Sequence, residues 1–478
     1  MERGYESLSQ GLNQSVIVVG GGVAGMSAAC ALADARLRVQ LVEQRGYLGG
    51  RTSSYLHPGV NEVIDNCQHV LFGCCTNLVG FYQRIGVYDK IHWTREMTMI
   101  EPGGRRTILG PSSLPAPLHG LPKLLAAQAF SRADKLALAH AFGQLLLRPV
   151  PRDSTETLSD WLQRNGQTSG AIDRFWRLVL ASALNADLDC ISLPYAVKVI
   201  RELFMNSAEA GSMGMSSVPL SDLYSGAARF LESRGSAVVL HAGVDSAAWD
   251  AEASQWNVST RAGTIHADFL VLALPFEATA KLIPAMPPAP GVSALAEQIS
   301  RHRHWPICSV HLWFDREITD LEHAVLLDRE IHWMYNKSRL QPHRQGTGSY
   351  LELVVSASRS FAALARQQAI DQALRELKEF FPAVASAKLE KAVLTKEVHA
   401  TFGVPPGIDS ARPSPVSAWP NCFLAGDWVA TGWPSTMESG VRSGHLAAEA
   451  LTRAAGEPRK FLVPDLKPKG LMRLFRKF

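Results

Sequence analysis

Short apolar runs that border on glycine-rich turns stand near both ends of the chain. Residues 16–19 (Val-Ile-Val-Val) are β-branched and wholly apolar, which is typical of a central parallel strand buried on both faces. The alanine-rich stretch 24–35 then predicts a helix, and residues 39–42 predict a second strand. Residues 421–425 predict another strand near the other end, before a helix that opens over 432–440. This pattern predicts an α/β fold with a buried parallel sheet.

The glycines between the first strand and the first helix predict a dinucleotide-binding turn. Gly20 permits the tight turn, Gly22 lets the backbone approach a pyrophosphate, and Gly25 lets helix and strand pack closely. The phosphates would lie at the helix N-terminus, which carries partial positive charge. Glycine-rich turns also occur for structural reasons, so the prediction depends on the flanking strands and on the acid that follows them.

That acid is Glu43, at the end of the second predicted strand. It lies roughly twenty residues beyond the glycines, where a partner for a ribose hydroxyl is expected, and it would repel a 2′-phosphate. FAD or NAD is therefore favoured over NADP. Gly50 and Arg51 form a second glycine turn with a cation that could approach the same pyrophosphate, which favours FAD. The alternative for this second turn is an ordinary surface turn.

A further nucleotide-binding signature lies almost a chain length away. Gly426 and Asp427 are expected to meet the pyrophosphate and the ribityl chain of a flavin. Met437 and Glu438 stand where the last helix opens, and a helix N-terminus can stabilise negative charge on the N1/O2 side of a reduced flavin. A plain strand, turn and helix is the alternative. The two signatures together predict a flavoprotein with FAD.

These residues resemble the FAD-dependent amine oxidase and carotene desaturase superfamily over nearly the whole chain. The ending Ala-Gly-Asp-Trp, then Ser-Thr-Met-Glu-Ser-Gly, is most similar to plant-type phytoene desaturases. Residues 64–74 resemble a stretch of the squalene-associated FAD-dependent desaturases, which are the hydroxysqualene dehydroxylases of bacterial hopanoid synthesis. The stretches that further agree with that subfamily are Phe175-Trp176, 183–185, 218–221 and 310–314.

Two residues depart from the subfamily pattern. Cys67 stands where the pattern has glycine, and Cys75 stands where an aromatic residue is expected. If that glycine serves a backbone angle that a Cβ disfavours, Cys67 would strain the loop by roughly 1 kcal/mol or more, unless the loop has adjusted.

The resemblance implies a Rossmann-like FAD-binding domain interleaved with an α+β substrate-binding domain and a helical subdomain. The FAD-binding domain would comprise residues 12–95, 216–280 and 415–455, because residues 237–240 with Val244, and residues 269–275, look like its remaining strands. Val244 matches the position whose backbone meets adenine in this superfamily, although its side chain also suits a plain core position. Residues 96–215 and 281–414 would form the substrate-binding domain, and residues 456–478 a basic tail.

The composition is that of a large globular enzyme. The 478 residues exceed one core, so two or three domains are expected, and the hydrophobic and charged fractions are 46% and 19%. A net charge of +4 is too small to imply nucleic acid as a partner. The seven scattered cysteines favour reduced thiols and hence a reducing cytoplasm.

No segment offers about twenty uninterrupted apolar residues, so no membrane span is predicted. Residues 467–478 mix basic and large apolar residues, as a helix on an anionic membrane would, and a solvated tail is the alternative. The stretch 121–147 is a second candidate for membrane contact, unless its apolar face covers its own core. The inner face of the cytoplasmic membrane is therefore a candidate location for a peripheral protein.

The resemblance implies reductive dehydroxylation of a C30 polyisoprenoid alcohol, hydroxysqualene, to squalene, with hydride from reduced FAD and an unidentified electron donor or reductase. Hydroxide leaves poorly, so a general acid is needed. Asp65 and His69 are the catalytic candidates, directly or through a water, because their segment passes near the isoalloxazine in relatives. The structural alternatives are that Asp65 bonds backbone groups and that His69 is a core histidine.

Aromatic faces could stabilise the allylic cation that departure of the hydroxyl would leave. The candidates for substrate binding are Trp313, Trp333 and Tyr335. Phe314 is adjacent to Trp313 on a predicted strand, so at most one of these two can line the pocket.

His302, His304 and His311 show no Cys or acid partners at ligand spacing, so no metal is expected. Two other functions remain open. An oxidative carotenoid desaturase or amine oxidase would use the same fold, and a non-enzymatic prenyl-binding carrier shares the architecture without using flavin. The two FAD signatures argue against the carrier.

Overall fold

The computed structural model describes residues 14–342 and 348–475. The strands, numbered along the chain, are β1 (Ser15–Val19), β2 (Arg38–Val42), β3 (Ser54–His57), β4 (Glu62–Asp65), β5 (Val70–Phe72), β6 (Ile91–Thr94), β7 (Met97–Ile100), β8 (Arg106–Leu109), β9 (Met213–Ser216), β10 (Ala237–Val239), β11 (Val244–Asp250), β12 (Gln255–Thr260), β13 (Gly263–Ala267), β14 (Phe269–Leu272), β15 (His304–Phe314), β16 (His323–Leu326), β17 (Trp333–Asn336), β18 (Tyr350–Ser356), β19 (Leu389–Phe402) and β20 (Cys422–Leu424). The helices are α1 (Val23–Asp34), α2 (Thr76–Arg84), α3 (Leu121–Ala126), α4 (Arg132–Leu147), α5 (Leu158–Arg164), α6 (Ser169–Ala171), α7 (Leu178–Leu184), α8 (Leu193–Ile200), α9 (Leu220–Glu232), α10 (Phe276–Leu282), α11 (Val292–Ser300), α12 (Lys337–Leu340), α13 (Arg359–Ala363), α14 (Arg366–Phe380) and α15 (Met437–Ala454).

A five-stranded parallel sheet with the order β10-β2-β1-β14-β20 forms the centre of one lobe. The predicted α/β fold and the strand, helix and strand of residues 16–42 are confirmed. From Val16 to Val19, β1 is apolar because both of its faces are covered, and Val16, Ile17 and Val18 have no exposed surface. All five strands fall within the three ranges predicted for the FAD-binding domain.

Val244 does not belong to this sheet, which corrects one expectation. β11, which begins at Val244, pairs antiparallel with β12, and β11-β12-β13 form a separate three-stranded sheet. Alternate residues of β12 are buried, as expected for an antiparallel sheet with one solvated face, whereas β1 from Val16 onward, β14 and β20 of the parallel sheet are buried throughout.

A seven-stranded mixed sheet, β19-β15-β18-β17-β16-β7-β8, forms the second lobe. Helices α3 to α8 lie beside it and bury an aromatic cluster in which the Phe175 and Trp176 rings meet edge to face at 5.2 Å. Two helical turns in this part are π-helical, Ile172–Arg177 and Arg201–Met205. A small sheet, β5-β9-β6, holds the segment after Asp65 next to Met213–Ser216.

The two candidate membrane segments are both helical in part. Residues 121–147 form two helices, α3 with six residues and α4 with sixteen. Gly470–Phe475 is a short 3-10 helix in which Met472 is buried, while Leu474 is 80% exposed. Residues 476–478 lie outside the described part of the chain. Within that part, no helix is long and apolar enough to cross a membrane.

The cysteines cause no visible strain. All seven are free thiols. Cys67 is not among the residues with positive φ, so the loop has adjusted and the strain considered above does not arise.

Candidate active site

One large cavity runs from the carboxyl end of the parallel sheet to helices α4, α7 and α8. Its volume is about 1250 Å³. Sites for a single drug-sized ligand usually enclose about 300–1,000 Å³. The cavity therefore has room for a dinucleotide and a second large molecule. Its two ends have different chemistry.

The glycine turn after β1 forms the wall of one end. Gly20 has φ +107°, which favours glycine, and a Cβ on Gly25 would lie 1.8 Å from the carbonyl oxygen of Gly20. By contrast, a Cβ on Gly22 would meet nothing within 4 Å, and Gly22 lines the cavity. The chain thus presents bare backbone to open space at the start of α1, which fits the approach of a pyrophosphate.

Glu43 completes this end of the cavity. The side chain is 6% exposed, and its two oxygens accept hydrogen bonds from the backbone N–H groups of Gly21 (2.7 Å) and Arg45 (2.8 Å). These bonds fix the carboxylate beside the glycine turn. Val244 lines the same cavity, so the residues expected around the adenosine half of FAD are brought together.

Arg51 and Asp427 form an ion pair across the middle of the cavity, with 2.7 Å between Nη2 and Oδ1. Gly50, with φ +61°, turns the chain so that Arg51 lies near Asp427. Burial alone would raise the pKa of Asp427, but Arg51 and the hydroxyl of Ser435 hold that pKa below its ordinary value. Arg51 lines the cavity, and its approach to a pyrophosphate stays a prediction.

The N-terminus of α15 closes the same region. Gly426 has φ +146°, and Met437 is the first residue of α15 and lines the cavity. The carboxylate of Glu438 points elsewhere: it accepts from the backbone N–H groups of Asn77 (3.2 Å) and Leu78 (2.8 Å) and so caps helix α2. The backbone of Glu438, in the first turn of α15, remains the part suited to a cofactor.

Asp65 is not placed to act as a proton donor, which corrects the sequence-based assignment. Its side chain does not line the cavity and is 2% exposed. It lies 2.5 Å from Nζ of Lys337 and accepts hydrogen bonds from Ser54 and from the N–H of Leu220. Burial opposes ionisation, but Lys337 dominates and lowers the pKa of Asp65 to about 2. An ionised, buried carboxylate has no proton to give.

Lys337 belongs to a buried charged cluster that sequence reasoning missed. Its Nζ also donates to Oε1 of Gln68 (2.7 Å) and lies 3.6 Å from Oε2 of Glu352. Burial, together with the nearby Asp65, raises the pKa of Glu352 to about 7, although Lys337 opposes this. The cluster lies directly behind Gln68, which lines the cavity. The one sequence feature that could have indicated the cluster is Glu352, an acid within the otherwise apolar run 350–355.

His69 does line the cavity. Its Nδ1 lies 2.7 Å from the carbonyl oxygen of Cys67, so Nδ1 carries the proton and Nε2 is left as an acceptor. Among the described residues nothing hydrogen-bonds to Nε2. Burial lowers the pKa of His69, so the neutral ring prevails at neutral pH. His69 can accept a hydrogen bond from an alcohol, but a neutral imidazole is a poor proton donor.

Two of the three aromatic candidates line the cavity. The Trp333 and Tyr335 rings are stacked, with centroids 5.8 Å apart, and both face the cavity. Trp313 does not line it: its ring stacks on Tyr350 at 4.3 Å, on the same face of the sheet as Trp333 but farther along the strands. Phe314 is buried in a separate core, so neither of these adjacent residues reaches the pocket.

One acid partner for the histidines was also missed. Glu277 Oε2 lies 3.3 Å from His304 Nε2, and the His304 ring stacks on His399 at 4.3 Å. Burial raises the pKa of Glu277, but His304 more than offsets this and the pKa is lowered. Because the three residues come from α10, β15 and β19, their meeting was not visible in the sequence.

The far end of the cavity is apolar. Leu138, Phe142, Leu146, Phe175, Leu178 and Leu203 form its wall. Apolar walls that exclude water favour a hydrocarbon ligand over a charged one. The cavity therefore joins a polar, cofactor-sized end to a long apolar end.

Comparison with known proteins agrees with this division. The sequence pattern of the flavin containing amine oxidoreductase family matches residues 23–452. The 15-cis-phytoene desaturase of Synechococcus elongatus is 24% identical over 465 residues, which span 91% of this chain and 95% of that protein. The zeta-carotene desaturase of a Synechocystis species is 25% identical over 489 residues, with 91% and 96% covered.

The fold agrees with a solved oxidoreductase from Methanosarcina mazei. The TM-score is 0.70 at 14% identity, over 92% of this chain and all of that one. FAD is the cofactor, and the glycine turn, Glu43, the Arg51–Asp427 pair and the start of α15 are the residues that fit it.

Proposed function

The chain belongs to the flavin containing amine oxidoreductase family, and from that premise we propose that this FAD-dependent oxidoreductase reductively removes the hydroxyl of hydroxysqualene to give squalene. The observation that carries the proposal is the single continuous cavity in which the cofactor end opens into an apolar end. A C30 polyisoprenoid alcohol has one polar group on a long hydrocarbon, so its two parts match the two ends. The resemblance of residues 64–74 to hydroxysqualene dehydroxylases supports this substrate over other prenyl chains.

FAD, when bound in its reduced form, supplies the hydride that replaces the departing hydroxyl. The residues of the chain bind and orient the substrate. The leucine and phenylalanine wall excludes water, and the faces of Trp333 and Tyr335 stabilise positive charge at the carbon that loses oxygen. Nε2 of His69 accepts a hydrogen bond from the alcohol. Because each turnover consumes the reduced cofactor, a separate electron donor or reductase must restore it.

A second candidate is oxidative desaturation of a carotenoid-like chain. The observation in its favour is that the named relatives are phytoene and zeta-carotene desaturases over nearly their whole lengths. An amine oxidase would use the same fold, and so would a prenyl-binding carrier. A carrier without flavin would purify as a colourless protein.

The test is an anaerobic reaction in both redox states. The purified protein is photoreduced, mixed with hydroxysqualene, and followed by flavin absorbance while squalene is assayed. Rapid reoxidation with one squalene per flavin is expected. The oxidised protein with phytoene, with squalene or with a panel of amines is the matched arm. The oxidative candidates would be favoured if phytoene, squalene or an amine reduced the flavin of the oxidised protein while the photoreduced protein made no squalene from hydroxysqualene.

We also propose that the protein docks on the cytoplasmic face of an anionic membrane through a leucine surface beside the cavity. This leucine surface consists of Leu114, Leu118, Leu121 and Leu125, which are 37–58% exposed. Leu118 and Leu121 also line the cavity, so substrate could pass directly from lipid. The 3-10 helix Gly470–Phe475 lies against the same surface, because the N–H of Leu471 donates to the carbonyl of Ala116 at 2.8 Å.

Basic side chains next to this surface suit anionic lipid. Lys123 belongs to α3 itself, and Nζ of Lys135 donates to the carbonyl of Leu125. Co-sedimentation with vesicles that contain anionic lipid should fall for Leu125→Glu and persist for Leu56→Glu, since Leu56 is equally exposed on the distant β3 hairpin. Equal binding by both variants would exclude the leucine surface.

A further inference from the structure

One carboxyl group on the cavity wall, that of Glu202, lacks among the described residues a strong hydrogen-bond or ion-pair partner that would account for its position. Glu202 lies in the π-helical turn Arg201–Met205 that continues α8, and it lines the cavity beside Leu203 and Val199. Its side chain is 13% exposed. π-helical turns occur often at functional sites because they redirect a side chain that a regular helix would place elsewhere.

Glu202 has weak partners. Oε2 accepts a hydrogen bond from Nδ2 of Asn206 at 3.2 Å, and Oε1 lies 3.9 Å from Nζ of Lys198. Lys198 is closer to Asp465, at 3.5 Å, and Arg442 pairs with the same Asp465 at 2.6 Å. The two nearby cations are thus shared with a competing carboxylate.

The other carboxylates of the cavity wall, except Asp245, have closer or more numerous partners than Glu202. Each accepts backbone or side-chain hydrogen bonds or belongs to a closer ion pair: Glu43 with Gly21 and Arg45, Glu96 with Lys123, Glu277 with His304, Glu397 with Asn66, Asp427 with Arg51, and Glu438 with the α2 N-terminus. Asp245 stands beside Val244, at the adenosine end. Glu202 is the buried wall carboxyl that remains for the apolar end.

Glu202 also lies near the cofactor end. Its neighbour Lys198 sits over the ring of Trp433, with Nζ 4.7 Å from the centroid. Trp433 belongs to the loop that leads into Met437 and the start of α15. The carboxyl therefore lies between the loop that leads into α15 and the apolar wall.

We propose that Glu202 is the general acid that donates a proton to the departing hydroxyl. This inference rests on the proposed function. The carbon–oxygen bond breaks, the oxygen takes the proton of the Glu202 carboxyl and leaves as water, and the carbon gains the hydride that the reduced cofactor supplies. Glu202 is left as a carboxylate, which regains its proton from solvent before the next turnover.

The protonation of Glu202 agrees with this role. Burial raises its pKa, and Asp465 adds to that effect, while Lys198 and Arg442 oppose it. The thiol of Cys74, before α2, also faces Glu202 and has a pKa well above its ordinary value, so it is neutral. A carboxyl with a raised pKa keeps its proton at a higher pH than an exposed glutamate does.

The test compares Glu202→Gln with Glu62→Gln, a carboxyl that pairs with Lys391 and does not line the cavity, in anaerobic single turnover of photoreduced enzyme. Glu202→Gln should lower the rate about 100- to 10,000-fold, the usual range for general acids, with substrate affinity changed little and Glu62→Gln at the wild-type rate. The wild-type rate should fall as pH rises through the pKa of Glu202, and the variant's residual rate should not.

An independent readout uses the resting, oxidised protein. The infrared difference between wild type and Glu202→Gln should show a titrating protonated-carboxyl band in addition to that of Glu352, which both proteins keep. A variant rate within about threefold of wild type, or a variant that keeps the wild-type pH limb, would overturn the assignment. Failure of the wild type itself to yield squalene would instead overturn the proposed function.

Discussion

Removal of the Lys337 ammonium should destabilise the protein strongly. Lys337 is 1% exposed and is the cation shared by Asp65, at 2.5 Å, and Glu352, at 3.6 Å. Lys337→Met keeps the length of the side chain but leaves two buried carboxyls without a counter-charge. Breaking one partner out of a buried ion pair costs about 3–5 kcal/mol. We expect that loss in the free energy of unfolding at pH 7.5.

The loss should depend on pH. In the wild type the pKa of Asp65 is about 2 in the folded state, below its unfolded value of about 3.8, so its stabilisation is present above pH 4 and disappears as pH falls through 2. In Lys337→Met both carboxyls keep the effect of burial without the cation, so their pKa values rise. Protons taken up at lower pH then relieve the buried charge, and the destabilisation should be smaller at pH 5 than at pH 7.5.

The assay is thermal unfolding followed by flavin fluorescence at fixed FAD concentration, since free FAD stabilises the native state. At about 2.1 cal/mol/K of unfolding entropy per residue, a loss of about 3–5 kcal/mol in a chain of 478 residues corresponds to a fall in Tm of roughly 3–5 °C. The matched control is Lys391→Met. Its ion-pair partner, Glu62, is 34% exposed, so loss of this pair should lower the free energy of unfolding by only about 0–1 kcal/mol. Equal effects of the two substitutions at pH 7.5 would refute the account of the buried cluster.

Three further predictions concern the cluster and the cofactor end. Glu352→Gln should raise Tm at pH 8 but not at pH 4.5: with a folded pKa of about 7, Glu352 loses about 3 kcal/mol of stability as pH rises from about 4.5 through 7, and glutamine does not titrate; equal Tm changes at both pH values would contradict it. Glu43→Gln should weaken FAD binding about 10- to 100-fold in a fluorescence titration, because one of its two backbone donors would face an NH₂ group; unaltered affinity would remove its role. Gly22→Ala should keep the Tm of the apoprotein and lose FAD affinity, whereas Gly25→Ala should lower that Tm, because its Cβ would lie 1.8 Å from a carbonyl oxygen and that of Gly22 meets only open space; the reverse pattern would contradict the assignment of the turn.

The parts of the fold that could be predicted from sequence depend on near neighbours. Gly20 and Gly25 need a particular backbone angle and a close approach within a few residues, so their spacing indicates the turn before any tertiary contact is known. The apolar runs of the buried parallel strands can also be recognised from neighbouring residues alone. A strand that is covered on both faces needs apolar side chains at every position. Val244 was assigned to the wrong sheet because a single strand does not reveal its partners.

The parts of the site that could not be predicted depend on distant contacts. The sequence made Asp65 a candidate proton donor. It could not show that Lys337, 272 residues away, pairs with Asp65 and keeps it ionised. Trp313 and Trp333 look alike in sequence, and only the strand register, which sets Trp313 opposite Tyr350 and Trp333 opposite Val354, leaves the first outside the cavity and the second in its wall. Glu202 carried a weak local signal, because it stands with Arg201 between two apolar stretches, and only the cavity gives that position a meaning.

The most direct test of the central claim is the isotope content of the product. The hydride-donating position of a reduced flavin exchanges with solvent, so in D₂O it carries deuterium. A single turnover of photoreduced enzyme with hydroxysqualene in D₂O, without oxygen, therefore shows whether the flavin delivers its hydride to the substrate. The account predicts squalene that carries one deuterium at the former alcohol carbon. Unlabelled squalene, or recovery of unchanged hydroxysqualene from a flavin that stays reduced, would contradict it.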